Sequence, residues 1–347
     1  MTQLAIGPAN FAGQATEWAR AVQSHLGVSA HSFAYGQIPV LSRRTFGHKS
    51  DKWLPPGRVP YTPLRRLALT SAIGKADHVA IDGFVTIGGR VGVDSIVRDI
   101  DKLRERGRAV ALIAHGSDVR SPDLHMDLSA SSYFHNAPND WVEAARQRSA
   151  TNRSIATTSG LPLFVSTPDL INDLPMAKWL PLTIDLEASP FIPRAWNRRP
   201  RVLHLPSRSF PPIKGTELIE QVLADLSRQG ILEWVRKPTL RHTEFIKLLA
   251  SVDIVVDQIL GGSYGVTTVE AMASGCVVVG NVETLAARHM AEAPPVVQAG
   301  PGELAETLGW IAGEPNMLER HSELGRGFVK RWHEGKAASQ VLEPFLV

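Results

Sequence analysis

The stretch from Asp253 to Glu283, DIVVDQILGGSYGVTTVEAMASGCVVVGNVE, holds the residues whose types and spacing point most directly to chemistry. An apolar run, Ile254 to Val256, ends at Asp257, and a loop carrying Gly261, Gly262 and Gly265 follows. Thr267 to Ser274 then reads as a short helix closed by Gly275, a position that favours a residue without a Cβ. Strand, glycine-rich loop and helix in that order leave uncrowded backbone amides at a helix start, which cradle a phosphate or diphosphate. Glu270 lies one turn into the helix, within reach of a sugar hydroxyl beside that phosphate. A nucleotide sugar supplies both groups. The same spacing has a plainer reading, in which Thr267 caps the helix and Glu270 reaches back to its amide as a capping box. A second candidate is His115-Gly116-Ser117-Asp118, directly after the apolar run Ala109 to Ala114. Open parallel sheets place their ligands at that end of a strand, although His115 and Asp118 equally suit a role in stabilising the turn.

Positioning such residues takes alternating strands and helices, and the chain shows them twice. Leu4 to Ile6, the turn Gly7 to Gly13 and an apolar helical pattern through Trp18, Val22 and Leu26 form an opening strand, loop and helix. His78 to Ile81 reads as a strand, Asp94 to Arg106 as a helix, and Pro162 to Val165 and Ala177 to Leu182 as further strands. Thr167 and Pro168 suit a helix start, with Thr167 as its cap. Glu187 to Pro200 holds three prolines and no period, as expected of a hinge. The pattern then resumes with strands at Val202 to Leu205 and Ile231 to Val235 and helices at Thr216 to Leu226 and His242 to Ala250. Met317 to Gly335 and Ala337 to Leu346 read as closing helices.

A chain of 347 residues accommodates two domains, and 44% apolar with 20% charged residues is the composition of a globular protein rather than a disordered one. No apolar run approaches the length that spans a bilayer. The start, MTQLAIGPANF, lacks a charged segment and a cleavage site of the secretory kind, and the single cysteine, Cys276, has an apolar flank that suits packing. A cytoplasmic setting is the expectation. The net charge of +3 is unevenly placed: Arg43, Arg44, Lys49, Lys52, Arg58, Arg65 and Arg66 face Asp51 alone between Leu41 and Arg66. This basic, proline-containing loop suits an anionic acceptor or a membrane surface contacted from the periphery; a solvated loop is the plain alternative. Nucleic acid is less favoured, because no aromatic stacking series accompanies the charge.

Gly-Ser-Tyr-Gly-Val-Thr-Thr-Val-Glu-Ala-Met-Ala-Ser-Gly, residues 262 to 275, resembles the donor-site signature of GT-B glycosyltransferases, closest to the retaining, nucleotide-sugar-dependent family 4. That resemblance implies an α/β architecture of two doubly wound, Rossmann-like domains facing a cleft. It implies donor contacts by Ser263, Tyr264, Gly265, Val266, Thr267, Thr268 and Glu270, with Glu270 on the nucleotide ribose. The family pattern carries a first glutamate eight positions earlier, where this chain has Gly262, and a proline where it has Val277. The resemblance extends to Ser207 to Gly215, which implies that Arg208 and Lys214 bind the donor diphosphate, to Gly13 in the first loop facing it, and to His115 near the reacting sugar carbon. Two fixed cations stabilise the charge that grows on a departing nucleoside diphosphate and take the place of a metal.

The resulting expectation is an acceptor-binding domain over 1–186, a linker over 187–200, a nucleotide-sugar domain over 201–325 and helices over 326–347 crossing back. Val329, Trp332, Val341 and Phe345 are the residues expected to make that crossing contact. The expected activity is transfer of a sugar from a UDP- or GDP-sugar to an acceptor hydroxyl, with retention and no cofactor. A nucleotide-sugar epimerase and a non-catalytic partner subunit are the alternatives.

Overall fold

A computed structural model of the chain describes residues 2–36, 48–55, 63–87, 95–206, 213–237, 240–282 and 284–347. The first half runs β1 (Gln3–Pro8), α1 (Gln14–Leu26), β2 (Ser29–Tyr35), β3 (Lys52–Leu54), α2 (Pro63–Ile73), β4 (His78–Asp82), α3 (Ile96–Glu105), β5 (Ala109–Ala114), α4 (Pro122–Leu128), α5 (Asn139–Thr158), β6 (Leu163–Val165) and β7 (Lys178–Trp179). The second runs β8 (Arg201–His204), α6 (Thr216–Arg228), β9 (Glu233–Arg236), α7 (His242–Leu249), β10 (Ile254–Val256), α8 (Val266–Ala273), β11 (Val277–Gly280), α9 (Thr284–Ala287), β12 (Val297–Gln298), α10 (Leu304–Ile311), α11 (Pro315–Trp332) and α12 (Lys336–Leu346).

Two parallel sheets result. The seven-stranded sheet has the order β3-β2-β1-β4-β5-β6-β7 and the five-stranded sheet the order β12-β11-β10-β8-β9. Central strands buried on both faces read as continuous apolar runs, and Ile254, Val255, Val256 and Val277 to Val279 are all buried. Both faces of each sheet are covered. Leu4, Ile6, Trp18 and Val22 share one core with Leu342 and Phe345, so α12 lies against the first sheet and α1. Phe328 and Val329 of α11 pack instead with Leu203, Val255 and Val278 of the second sheet. Of the residues expected in the crossing contact, Phe345 and Val341 join the first core, whereas Val329 and Trp332 belong to the second. Trp332 also meets Trp179 of β7, with ring centroids 5.6 Å apart.

Several local expectations change. Thr167 opens a 3-10 turn over Pro168–Asn172, and its hydroxyl makes no capping bond. The basic loop contributes a strand, β3, paired with β2 through Phe33 and Lys52. Ser29, His31 and Ser32 interrupt the apolar pattern of β2, yet Ser32 is buried because Thr16 and Asp51 bind its hydroxyl. The arginines of the linker are structural. Arg198 holds the buried Asp253 through both guanidinium nitrogens, and Arg194 donates to the Leu249, Ala250 and Ser274 carbonyls. Cys276 is buried beneath Arg194, and burial raises its thiol to about 11, which fits packing rather than reactivity.

His333, after α11, is wholly buried where the two halves meet. Its Nδ1 donates to the Leu182 carbonyl at 2.6 Å and its Nε2 accepts from the Tyr264 hydroxyl at 3.3 Å. Burial lowers its pKa to about 4. The unfolded histidine takes up a proton at higher pH than the folded one, so this contribution to stability is complete above the ordinary histidine pKa and is lost as pH falls towards 4. At pH 5 the loss is on the order of 2 kcal/mol. We expect His333→Gln to melt lower than the parent at neutral pH and to lose less further stability between pH 7 and 5. An equal fall in both proteins would contradict this assignment.

Candidate functional site

Each sheet reverses its strand order once, between β1 and β4 and between β8 and β10. The polar candidates gather at the carboxyl ends of those strands, where doubly wound sheets bind ligands. Asp82 ends β4 with its carboxylate fully buried, accepting from the backbone amides of Ala9 at 2.6 Å and Asn10 at 2.7 Å. It thereby shapes the loop leading to Gly13, which stands at the start of α1 with φ +76. His115 ends β5 nearby. Its ring stacks on Trp18 at 5.7 Å and meets the exposed Phe11 edge-on at 5.2 Å, with Nε2 3.7 Å from Asp82 Oδ2. Asp118 braces the turn by accepting from the His115 amide at 2.8 Å, and burial raises its carboxyl to about 6. His115 and Asp118 thus brace the turn reciprocally, and the His115 imidazole also lies against the end of β4.

At the second reversal, Lys214 Nζ lies 2.9 Å from Asp257 Oδ1 and donates to the Leu205 carbonyl at 3.1 Å and to Thr267 Oγ1 at 3.4 Å. Asp257 Oδ2 accepts from the Thr268 hydroxyl at 2.7 Å. Burial works to raise the Asp257 pKa, but the Lys214 ammonium and these hydrogen bonds outweigh it and keep the carboxyl ionised. Lys214 is thus fixed at the amino end of α8. Gly265 is the residue before that helix, with extended φ of −126, and a Cβ placed on it meets no atom within 4 Å. Open space beside Gly265 at a helix start, with an ammonium next to it, suits a diphosphate.

Glu270 does not form the capping box. Gly265, rather than Thr267, occupies the cap position, and Glu270 Oε1 pairs with His242 Nε2 at 2.5 Å. Burial acts to lower the His242 pKa, but the Glu270 carboxylate raises it overall. His242 in turn faces His48 from the first half, with ring centroids 4.7 Å apart, and His48 Nδ1 lies 2.9 Å from a Cβ built on Gly13. Gly13, His48, His242 and Glu270 therefore line one line of contact between the halves.

Other expected contacts change character. Tyr264 is buried against Phe328 and hydrogen-bonded to His333, so its side chain belongs to the core and only its backbone faces the loop. The Thr268 hydroxyl is committed to Asp257, leaving Val266 and Thr267 in the half-buried first turn of α8. Lys52 donates its ammonium to the Ser71 and Ala72 carbonyls at the end of α2, where a cation complements the helix dipole. Lys49 is exposed, while its backbone carbonyl accepts from Asn10 and Thr16. Arg43, Arg44, Arg58 and Arg208 lie outside the described residues.

Sequence reasoning passed over the carboxylates and histidines that hold these groups. Asp82 and Asp257 carried the signal that singled out His115, a polar residue directly after an apolar parallel strand. Arg120 and Asp169 carried none, being distant in sequence and joined only in space. Arg120 Nη2 pairs with Asp169 Oδ2 at 2.5 Å, and both residues are buried. Around them the halves are bound together: His125 Nε2 donates to the Gly261 carbonyl, the Tyr133 amide to the Leu260 carbonyl, and Asn281 to Ser131.

No protein-family model and no curated protein matches the chain. Solved structures do. Sucrose-phosphate synthase from Thermosynechococcus elongatus superposes with a TM-score of 0.62 at 14% identity, over 99% of this chain and 98% of that one. HepE of Anabaena, solved in complex with UDP and glucose, gives 0.59 at 12% identity over 99% of both chains. An alpha-glucosyltransferase in complex with UDP and a 13-mer DNA gives 0.64 at 8% identity over 100% of both. The chain has the GT-B fold. Identities of this size establish architecture, and the chemistry has to come from the residues of the site itself. Among the described residues, no helix is long and apolar enough to cross a membrane.

Proposed function

We propose that this GT-B chain is a glycosyltransferase that moves a sugar from a nucleoside-diphosphate sugar to an acceptor hydroxyl, with retention, in the manner of family 4. The observation that carries the reading is Lys214, fixed by Asp257 beside the open amino end of α8 at Gly265. The donor diphosphate lies there, and Glu270, oriented by His242, receives the ribose hydroxyls. When the bond between the anomeric carbon and the phosphate oxygen breaks, negative charge grows on the leaving diphosphate. Lys214 and the α8 amides stabilise it, together with Arg208, and this reading needs no metal. The acceptor hydroxyl attacks from the face the diphosphate leaves, and its proton passes to a departing phosphate oxygen. His115 contacts the sugar beside the reacting carbon. UDP is the favoured nucleotide, because two of the similar structures hold it.

Gly265→Val offers a test whose structural cost is confined to the helix cap, since φ at this position is extended and a Cβ built there meets no atom within 4 Å. We expect the melting temperature without ligand to fall only slightly, by the cost of valine at a helix cap, about 1 kcal/mol. Release of nucleoside diphosphate from a panel of UDP- and GDP-sugars, supplied with mixed acceptors, is expected from the parent and not from the variant. Release by Gly265→Val at the parent rate would exclude the α8 terminus as the diphosphate site.

A further inference from the structure

One large apolar side chain stands open at the ligand end of the first sheet. Phe11, in the turn between β1 and α1, is 50% exposed. Isolated exposed hydrophobic residues are ordinary on a protein surface, and what sets this one apart is its surroundings. The ring meets His115 nearly at right angles, with centroids 5.2 Å apart. Its Cε2 and Cδ2 lie 2.8 and 3.4 Å from a Cβ built on Gly83, just beyond β4, so a side chain at Gly83 would push the ring aside. The backbone around it is strained: Asn10 and Ala12, on either side, take φ of +47 and +49, and Phe84 takes +51. Side-chain-bearing residues keep such angles only where the surrounding structure imposes them. Here the Asp82 carboxylate accepts from the Ala9 and Asn10 amides, and the buried Asn10 side chain donates to Thr16 Oγ1 at 3.2 Å and to the Lys49 carbonyl at 2.9 Å. A fixed loop thus presents Phe11 at the carboxyl ends of β1, β4 and β5, against His115.

A half-open aromatic ring held in place this way suits a flat partner with an apolar face. The reading above places the reacting sugar carbon at His115, and Phe11 touches His115 from the first half, the side left for the acceptor. The acceptor must therefore combine an apolar face for Phe11 with a hydroxyl that reaches the carbon beside His115. A sugar ring does both: the C–H groups of one face are drawn to the negative face of an aromatic ring, and hydroxyls project from its rim. We propose that Phe11 is the residue on which the acceptor stacks, and that the acceptor is itself a sugar ring, presented as a glycoside. This rests on the nucleotide-sugar reading above. In the transfer, the acceptor oxygen bonds to the anomeric carbon, the phosphate oxygen leaves with the bonding pair, and the hydroxyl proton passes to the diphosphate.

The test uses the full chain with Phe11→Ala, Phe11→Leu and Phe11→Trp. Because Phe11 is half exposed, all three are expected to melt near the parent. Release of UDP or GDP from the matching nucleotide hexoses is followed with methyl glycosides of the common hexoses, with open-chain hexitols and with a DNA oligonucleotide as acceptors. We expect the parent to transfer to a methyl glycoside. KM for that glycoside should rise roughly 5- to 10-fold in Phe11→Ala, the size of a lost ring contact, and as much in Phe11→Leu, which keeps apolar volume without the ring. Phe11→Trp should stay within about twofold of the parent. KM for the nucleotide hexose and calorimetric affinity for the nucleoside diphosphate should stay within about twofold in all three, as the donor is held elsewhere. A parent-like glycoside KM in Phe11→Ala would overturn the proposal, and so would an equal rise in donor KM, which would place the ring on the donor sugar. No transfer to any glycoside by a parent that binds nucleoside diphosphate, or a preference for hexitol or oligonucleotide, would overturn the acceptor class. A parent that binds no nucleotide would instead remove the function on which the acceptor site depends, and the acceptor site with it.

Discussion

Replacement of Lys214 by alanine is expected to lower sugar transfer by on the order of 10²-fold or more, the usual consequence of removing a group that stabilises charge in a transition state. The same change strips Asp257 of its cation. That carboxylate is 2% exposed and keeps only the Thr268 hydroxyl. Breaking a buried ion pair from one side costs about 3–5 kcal/mol, so a large drop in denaturant midpoint is also expected. The two effects separate in Lys214→Ala/Asp257→Asn, where no unpaired charge remains buried. This double variant should regain much of the stability and none of the activity. Near-parental turnover in a folded Lys214 variant would contradict the role assigned to this residue.

Arg120→Met is expected to be the most destabilising change outside the diphosphate site. It strips the buried Asp169 carboxyl of its guanidinium, at a cost of about 3–5 kcal/mol in urea unfolding. The methionine fills much of the arginine stem's volume, so the loss reports charge more than packing. Adding Asp169→Leu removes the stranded charge and should restore most of the stability, because a buried pair replaced by apolar groups is often near neutral. A loss below about 1 kcal/mol in Arg120→Met would show that the pair is open to solvent, as surface ion pairs of that worth are.

The elements around α8 were legible in sequence because β10 and β11 are buried on both faces and carry apolar runs, and because Gly275 marks the helix end with φ +85. β2 was not, since Ser29, His31 and Ser32 break its pattern: Ser29 is exposed, and His31 and Ser32 are accommodated by hydrogen bonds with distant residues. Three-residue β3 is ordered by its partner strand rather than by its own composition. Within the site, Lys214, His115 and Glu270 stood out through local motifs. Their partners Asp257, Asp82 and His242 come from separate strands and helices, as do Arg120 and Asp169. Such pairs depend on which elements the two sheets bring together. The capping box at Thr267 failed for a related reason: local spacing favoured it, but His242 from α7 offered Glu270 a charged partner.

The most direct test of a nucleotide site at the start of α8 is the melting temperature of the chain against UDP, GDP, ADP, dTDP and CMP, with Gly265→Val and Glu270→Ala beside it. A ligand at a hundred times its dissociation constant adds about 2.7 kcal/mol to stability. The account predicts that one nucleoside diphosphate, UDP first, raises the melting temperature of the parent and of neither variant. No shift with any of the five, or a shift retained in both variants, would contradict it.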